Sequence, residues 1–355
     1  MRKYLFLFAA LAILSINIVY TQDEKHVILT YEQALRMALQ DLLSIMDIDA
    51  EIEELQEQRD DLREELRLTH GLDTPPRGTA AYETHNEIIE LGRQILNLTL
   101  QQEQTRLSRE SNLRRAIVSA ESYEVSLYVA QANLTLVEEN LNRAKIRYDF
   151  GLISSGDLRA AQNALALAQL DIYELTHNRN TAMQNLNHML GEPLYQNTRI
   201  DFDLEIFELP EEINFSNLIT RTPLIRQHQI EVDRKRDARR AYEGNDRDTI
   251  AELREAYERV RLERDQAITT MEASIRRGLN ELENLQLNRT SLLVELEDAY
   301  LAMEAVLINL ELRRATHHDL AQAQLDILRV RQRIESNLDS KWVHSFLLAN
   351  PSVLP

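Results

Sequence analysis

Cysteine is absent from this chain of 355 residues, which excludes disulfide bonds and lipid attachment through a cysteine. Glycine and proline are scarce, at 8 and 7 residues, and only 6% of the residues are aromatic. Such a composition is typical of long helices and argues against a globular α/β enzyme. No nucleophile–base arrangement, phosphate-binding loop or paired-carboxylate motif is recognisable, so we predict no catalytic residue, no cofactor and no metal site.

Basic residues are fewer than acidic ones. The chain has 40 Lys and Arg against 58 Asp and Glu, a net charge of −18, which argues against a nucleic-acid partner. The excess of acid has two readings, solvated helix faces or a negatively lined duct. After residue 21 no stretch approaches 18 apolar residues, so we predict no membrane-spanning segment in the mature chain.

Residues 1–21 have the pattern of an export signal. Two basic residues precede an apolar run at 4–18, and Val19 and Thr21 stand at plausible positions before a cleavage point at Gln22. An uncleaved anchor is the alternative, although the run is short for a full span. Either reading predicts export to the periplasm or cell envelope.

The most informative feature is a helical seam that runs through a break at residues 150–158. Apolar or small residues alternate in steps of three and four on both sides, which is the heptad pattern of supercoiled helices. Gly151 can take the left-handed conformation that ends a helix, and Ser154 with Asp157 reads as a capping box that starts the next one. The sequence therefore predicts a long antiparallel coiled-coil hairpin with a short tip.

The two halves of the chain share one plan, in which a shorter helix, a break, a very long helix, a tip and a returning helix follow each other. In the first repeat, 22–196, we predict a long helix at about 82–149, a tip at 150–157 and a return helix at about 158–190. In the second, 223–355, we predict a long helix at about 250–314 and a tip at 315–319. Residues 197–222 alternate in part between apolar and acidic, which predicts one short strand or an extended crossing.

The first tip resembles that of TolC-type outer membrane efflux ducts. The residues that carry the resemblance are Arg147, Tyr148, Gly151, Leu152, Ser154, Asp157 and Leu158. The resemblance implies a homotrimer whose helices form a tapered tube through the periplasm. It also implies that these tip residues dock against a membrane fusion (periplasmic adaptor) protein, which links the tube to a membrane transporter, and that there is no catalysis.

Two breaks depart from that family, whose subunits carry two β-hairpins that build an outer-membrane barrel. Residues 69–81 and 244–248 stand at the corresponding places, and the latter offers only five residues. A membrane-spanning hairpin needs more than about 20 residues. We therefore predict an all-α, TolC-like α-barrel subunit of long hairpins in two structural repeats, without the β-barrel hairpins. Their loss argues against outer-membrane association.

Charged residues near the two tips suggest an aperture. Asp149, Arg313, Arg314 and Asp319 could form a ring of pairs that closes a narrow end, and the alternative is that they are solvated helix-end charges. Two functions fit the whole pattern. The first is an efflux or export conduit, and the second is a structural coiled-coil scaffold of the cell envelope without transport.

Overall fold

The computed structural model describes residues 27–40, 43–70, 75–201 and 215–354, and the predicted export signal at 1–21 lies outside them. The described strands are β1 (Val27–Thr30) and β2 (Thr198–Asp201). The described helices are α1 (Tyr31–Gln40), α2 (Leu43–His70), α3 (Ala80–Asp149), α4 (Ser155–Leu190), α5 (Phe215–Thr220), α6 (Pro223–Ala241), α7 (Arg247–Glu311) and α8 (His317–Ala349), and a 3₁₀ turn, Pro351–Val353, follows them. The fold is all-α, as the sequence predicts.

Two long antiparallel hairpins make up most of the molecule, α3 with α4 and α7 with α8. The 70 residues of α3 give it a length of roughly 105 Å at 1.5 Å per residue. In the first hairpin the seam is buried or half-buried along its length, and only Tyr148 next to the tip is exposed. The predicted heptad seam is therefore the line along which the helices pack.

The two hairpins lie side by side because α3 of the first contacts α8 of the second. Val129 and Leu136 on α3 pack with Leu325 on α8. Polar contacts follow the same line, since Arg329 donates to the Asn133 Oδ1 at 3.1 Å. The helices of this region therefore form a row in the order α4, α3, α8, α7, with α4 and α7 at its opposite edges.

A compact core holds the middle of the molecule together. Strand β1 pairs in parallel with β2, with Leu29 opposite Ile200, and so brings the start of the described chain next to the end of the first repeat. The buried side chains of this core come from α1, α3, α4, β2 and α8 and are Ala34, Ala38, Leu113, Ile117, Ala120, Ala182, Met183, Leu186, Leu190, Ile200 and Trp342.

Shorter helices accompany the far ends of the long ones. Leu66 of α2 packs with Ala81 and Ile88 of α3, and α6 packs on both α7 and α3. A capping box starts α1, in which the Thr30 N–H donates to Gln33 Oε1 at 2.9 Å and the Gln33 N–H donates to Thr30 Oγ1 at 3.3 Å. Among the described helices, none carries an apolar stretch long enough to cross a bilayer.

At 197–222 the short strand is present, and the alternative of an extended crossing over the whole range is wrong in part. Residues 198–201 form β2, and residues 202–214 lie outside the described chain. Phe215–Thr220, however, form the short helix α5. This helix is stabilised by Ile219, whose side chain is buried against Met271 and Ile275 of α7. The contact is tertiary, so the local sequence does not predict it.

Candidate functional site: the helical tips

The first tip is a tight turn fixed by backbone hydrogen bonds. Gly151 has a φ of 70°, in the left-handed region, and its N–H donates to the Tyr148 carbonyl at 2.8 Å. The Leu152 N–H donates to the Arg147 carbonyl, also at 2.8 Å. These two bonds form a Schellman motif, in which a left-handed residue satisfies the last carbonyls of a helix. The predicted role of Gly151 as the helix terminator is confirmed.

A reciprocal capping box then starts α4. The Ser154 N–H donates to Asp157 Oδ2 at 2.9 Å, and the Asp157 N–H donates to Ser154 Oγ at 3.2 Å. The Ser154 hydroxyl also donates to Asp157 Oδ2 at 2.8 Å. The side-chain hydrogen bond from Ser154, followed by its backbone hydrogen bond, lowers the pKa of Asp157 below its usual value. The predicted capping box is confirmed.

The second tip repeats this construction with different residues. Arg313 takes the left-handed position at a φ of 55°, and its N–H donates to the Leu310 carbonyl at 3.0 Å while that of Arg314 donates to Asn309 at 2.7 Å. Thr316 and Asp319 form the capping box, with the Thr316 N–H donating to Asp319 Oδ2 at 2.7 Å. These hydrogen bonds lower the pKa of Asp319.

The bounds predicted for this tip are therefore wrong by a few residues. The long helix α7 ends at Glu311 rather than near 314, and α8 begins at His317, so the turn occupies 312–316 rather than 315–319. The sequence carried a signal for this, because Thr316 and Asp319 have the same three-residue spacing as Ser154 and Asp157. The helix end was missed because the left-handed position is occupied by Arg313 instead of the glycine that usually marks it.

Both tips present apolar side chains to solvent. Phe150 is 76% exposed and Leu152 is 67% exposed, although both types of side chain are normally buried. Leu312, at the corresponding place in the second tip, is also exposed. Of the predicted docking residues, only Leu158 is half-buried, and Arg147, Tyr148, Gly151, Leu152, Ser154 and Asp157 are all exposed.

The two tips lie at the same end of the molecule. His318 Nδ1 at the start of α8 is 3.6 Å from Glu139 Oε2 near the end of α3. The positive charge of Arg143 on α3 also contributes to lowering the pKa of Asp319, after the larger effect of Thr316. The predicted aperture charges Asp149, Arg313, Arg314 and Asp319 are all exposed, and within the described chain none of the four forms an ion pair.

A second apolar stripe, which sequence reasoning missed, follows the free edge of α7. Leu287, Val294, Leu301 and Ile308 recur every seventh residue, and each is more than half exposed. At the opposite edge of the row, α4 exposes Leu167, Leu170 and Tyr173. The stripe has a seven-residue period that is recognisable in the sequence. It was missed because the seam on the same helix has the same period and is the stronger apolar pattern.

Comparisons with known proteins identify the fold. No protein-family model and no curated protein matches the chain. Among solved structures, the open state of the MtrE outer membrane channel of Neisseria gonorrhoeae matches with a TM-score of 0.66 and 13% identity, over 90% of this chain and 88% of that one. The CmeC outer membrane channel of Campylobacter jejuni matches with a TM-score of 0.63 and 12% identity, over 91% and 86%.

The outer membrane protein VceC of Vibrio cholerae gives a similar result, with a TM-score of 0.62 and 11% identity over 91% of this chain and 95% of that one. The matches span nearly the full length on both sides, so the two-hairpin architecture is shared as a whole. This chain thus has the fold of outer membrane channel proteins of the TolC type.

Proposed function

We propose that this chain is a non-enzymatic component of an efflux or export conduit of the cell envelope, in which three copies close into a tube. The observation that carries the proposal is the pair of open apolar edges on α4 and α7. Each copy would place its α7 stripe against the α4 edge of the next copy. Three is the number that the family resemblance implies.

The free energy of burial favours this assembly. Full burial of a Leu-sized side chain stabilises by about 1.5–3 kcal/mol, and the residues of the stripe are only about half buried in the single chain. Covering the apolar residues on both edges of every copy would add the free energy of burying their exposed halves. A row of helices with two uncovered apolar edges satisfies both edges at once only if it closes on further copies.

The partner-docking surface of the proposed conduit is the first tip. Phe150 and Leu152 offer apolar contacts at the end of the molecule, and Arg147 beside them offers a charged one. A membrane fusion protein with a helical hairpin would bind there and connect the tube to a membrane transporter. Asp149, Arg313, Arg314 and Asp319 would pair between copies, since they form no ion pair within the described chain.

Cross-linking between copies tests the assembly, and the chain suits it because it has no native cysteine. Leu170 lies 15 residues into α4 and Val294 lies 17 residues before the end of α7, which places both at about 25 Å from the tips. A Leu170→Cys, Val294→Cys double variant should form cross-linked dimers and trimers with a short bismaleimide. A chain that stays monomeric under these conditions contradicts the proposal.

The matched control keeps one cysteine in place. Leu262 is exposed on the same helix α7 but lies about 75 Å from the tip, far above Leu170. The Leu170→Cys, Leu262→Cys variant should therefore give no cross-link between copies, and equal cross-linking in both variants would point to random aggregation.

A second cross-linking experiment separates a conduit from a structural scaffold. Leu152→Cys in the native cell should capture a membrane fusion protein, identified by mass spectrometry. Tyr195→Cys, which is exposed but lies in the middle of the molecule, should not capture it. A scaffold without transport would give no tip-specific capture, and deleting the gene would not sensitise the cell to exported compounds.

A further inference from the structure

A cavity lies at the junction of the two repeats, away from the tips. It has a volume of about 310 Å³, is partly open to solvent and is bounded by α3, β2 and α8. Its apolar wall consists of Val125, Ile200 and Leu338. The cavity is large enough for a small ligand, since ligand pockets start at about 300 Å³.

The polar lining is strongly acidic. Four carboxylates reach the cavity, from Glu121 of α3, Asp201 of β2, and Glu335 and Asp339 of α8. The basic residue among the lining is Arg199 of β2, whose positive charge lowers the pKa of Glu121 against the larger opposite effect of burial. Arg331 acts on Glu335 from one turn away on α8. With the lining groups ionised, the cavity therefore carries a net charge of −3.

Asp339 distinguishes this cavity from an ordinary acidic surface. Its side chain lines the cavity although the residue is only 7% exposed, and no residue of the described chain donates a hydrogen bond to it or forms an ion pair with it. A buried carboxylate without a donor is costly, so native structures normally provide a partner. Burial, with repulsion from Glu121 and Glu335, raises the pKa of Asp339 to about 7.

An ionised Asp339 would favour a cationic ligand, and the residues of the lining narrow the chemistry of that cation. Within the described chain, no three Asp, Glu, His or Cys residues come close enough together to hold a metal ion. An alkylammonium group needs only hydrogen-bond acceptors, which the carboxylates supply, and it brings methylene groups that the apolar wall can cover.

We propose that this cavity binds a small alkylamine, with the ammonium group accepted by Asp339 and the alkyl chain against Val125, Ile200 and Leu338. Glu121 and Glu335 at the rim add attraction and receive a second ammonium group where the ligand has one. The site lies between the repeats and is independent of the proposed conduit function.

Calorimetric titration of the full chain with cadaverine tests the proposal. At about pH 8, above the pKa of Asp339, cadaverine should bind with millimolar or better affinity. Asp339→Asn keeps the shape of the side chain and should weaken binding about tenfold or more, because it removes the charged acceptor. Lowering the pH to about 6 should weaken binding in the native chain by protonating Asp339.

Controls separate a site from general charge attraction. Asp326→Asn removes one acid from an exposed position on the same helix and should leave the affinity unchanged. Pentanol, which has the alkyl chain without the charge, should not bind, and potassium chloride at matched ionic strength should not reproduce the heat. Absence of binding, or equal binding by Asp339→Asn and the native chain, overturns the proposal.

Discussion

Gly151 and Arg313 hold the same left-handed backbone position in the two tips, at φ values of 70° and 55°, and lie 162 residues apart. The capping residues keep the same offset, with Ser154 answered by Thr316 and Asp157 by Asp319. The two tips are thus one design built twice. Glycine adopts this conformation freely, whereas a side chain at the second tip costs roughly 1–2 kcal/mol.

Substitutions at these two positions should act in opposite directions. Gly151→Ala should lower the free energy of unfolding by about 1 kcal/mol, because alanine is strained at positive φ. Arg313→Gly should raise it by up to about 1 kcal/mol by removing the same strain. Urea unfolding followed by circular dichroism measures both changes.

Gly92 provides the control for the glycine substitution. It lies inside α3, its φ is not positive, and a Cβ placed there would meet no atom within 4 Å. Gly92→Ala should therefore stabilise the chain by about 1 kcal/mol. Equal effects of alanine at Gly92 and Gly151 would show that the left-handed turn does not determine the first tip.

The capping box of the first tip should contribute measurably to stability. Ser154→Ala should lower the free energy of unfolding by about 1 kcal/mol, because the Asp157 N–H loses its acceptor. The neighbouring Ser155→Ala is the matched control, since the side chain of Ser155 makes no hydrogen bond within the described chain.

The same box predicts a dependence on pH. The folded pKa of Asp157 lies below its unfolded value, so its contribution is fully present above the unfolded pKa and is lost as the pH falls through the folded one. The difference in unfolding free energy between the native chain and Ser154→Ala should therefore shrink below about pH 4, because the Ser154 hydroxyl loses its carboxylate acceptor. It should not vanish, since the Asp157 N–H still donates to Ser154 Oγ in the native chain. A constant difference between the two chains across that range would contradict the capping role of Asp157.

Adjacent leucines on α7 should differ sharply in their contribution. Leu292 is 2% exposed and faces the seam, whereas Leu293 is 47% exposed. Leu292→Ala should cost about 2–5 kcal/mol in unfolding free energy, as expected for a cavity in a packed core. Leu293→Ala should cost far less in the single chain, and a large loss there would mean that the seam is assigned to the wrong helix face.

Asp339 should make the chain less stable as the pH rises. Its folded pKa of about 7 is above the unfolded value, so the stability associated with the protonated form is fully present below the unfolded pKa of ~3.9 and is lost as the pH rises through about 7. Asp339→Asn, which stays neutral, should flatten the profile and be the more stable chain at about pH 8. Thermal unfolding without added amine would reveal this, and a parallel pair of profiles would rule it out.

Charge at the tips should control conduction through the assembled tube. Reversal of Arg313 and Arg314 to glutamate breaks the pairs proposed between copies, so ion conductance of the reconstituted assembly should rise. Reversal of the exposed Arg261, which lies far from the tips on α7, is the control and should have little effect. Unchanged conductance in the tip variant would favour the alternative of solvated helix-end charges.

The sequence predicts those features that depend on a repeating helical pattern or on a few neighbouring residues in a turn. The seam and the first tip are of this kind, since heptad spacing, Gly151 and the Ser154–Asp157 pair all act within a few residues. Strand β1 was not predicted, because Val27–Thr30 is a strand only by pairing with residues 171 positions later. Local pattern cannot report such a partner.

The burial of single charged residues could not be predicted from the sequence either. Asp339 occupies a helix that is rich in charges, and nothing near it in the sequence separates it from exposed acids such as Asp326. Its environment arises only when α8 packs on α3 and β2. The second apolar stripe on α7 and the second capping box at Thr316 could both have been predicted from the sequence. Both follow periods or spacings that the first repeat already shows.

The most direct test of the conduit proposal is the molar mass of the purified mature chain at micromolar concentration, measured by light scattering or sedimentation. Closure of the α4 and α7 edges on neighbouring copies predicts a particle with three times the mass of one chain. Leu170→Asp together with Leu301→Asp should reduce it to a monomer. A native chain that is a stably folded monomer under these conditions would contradict the account.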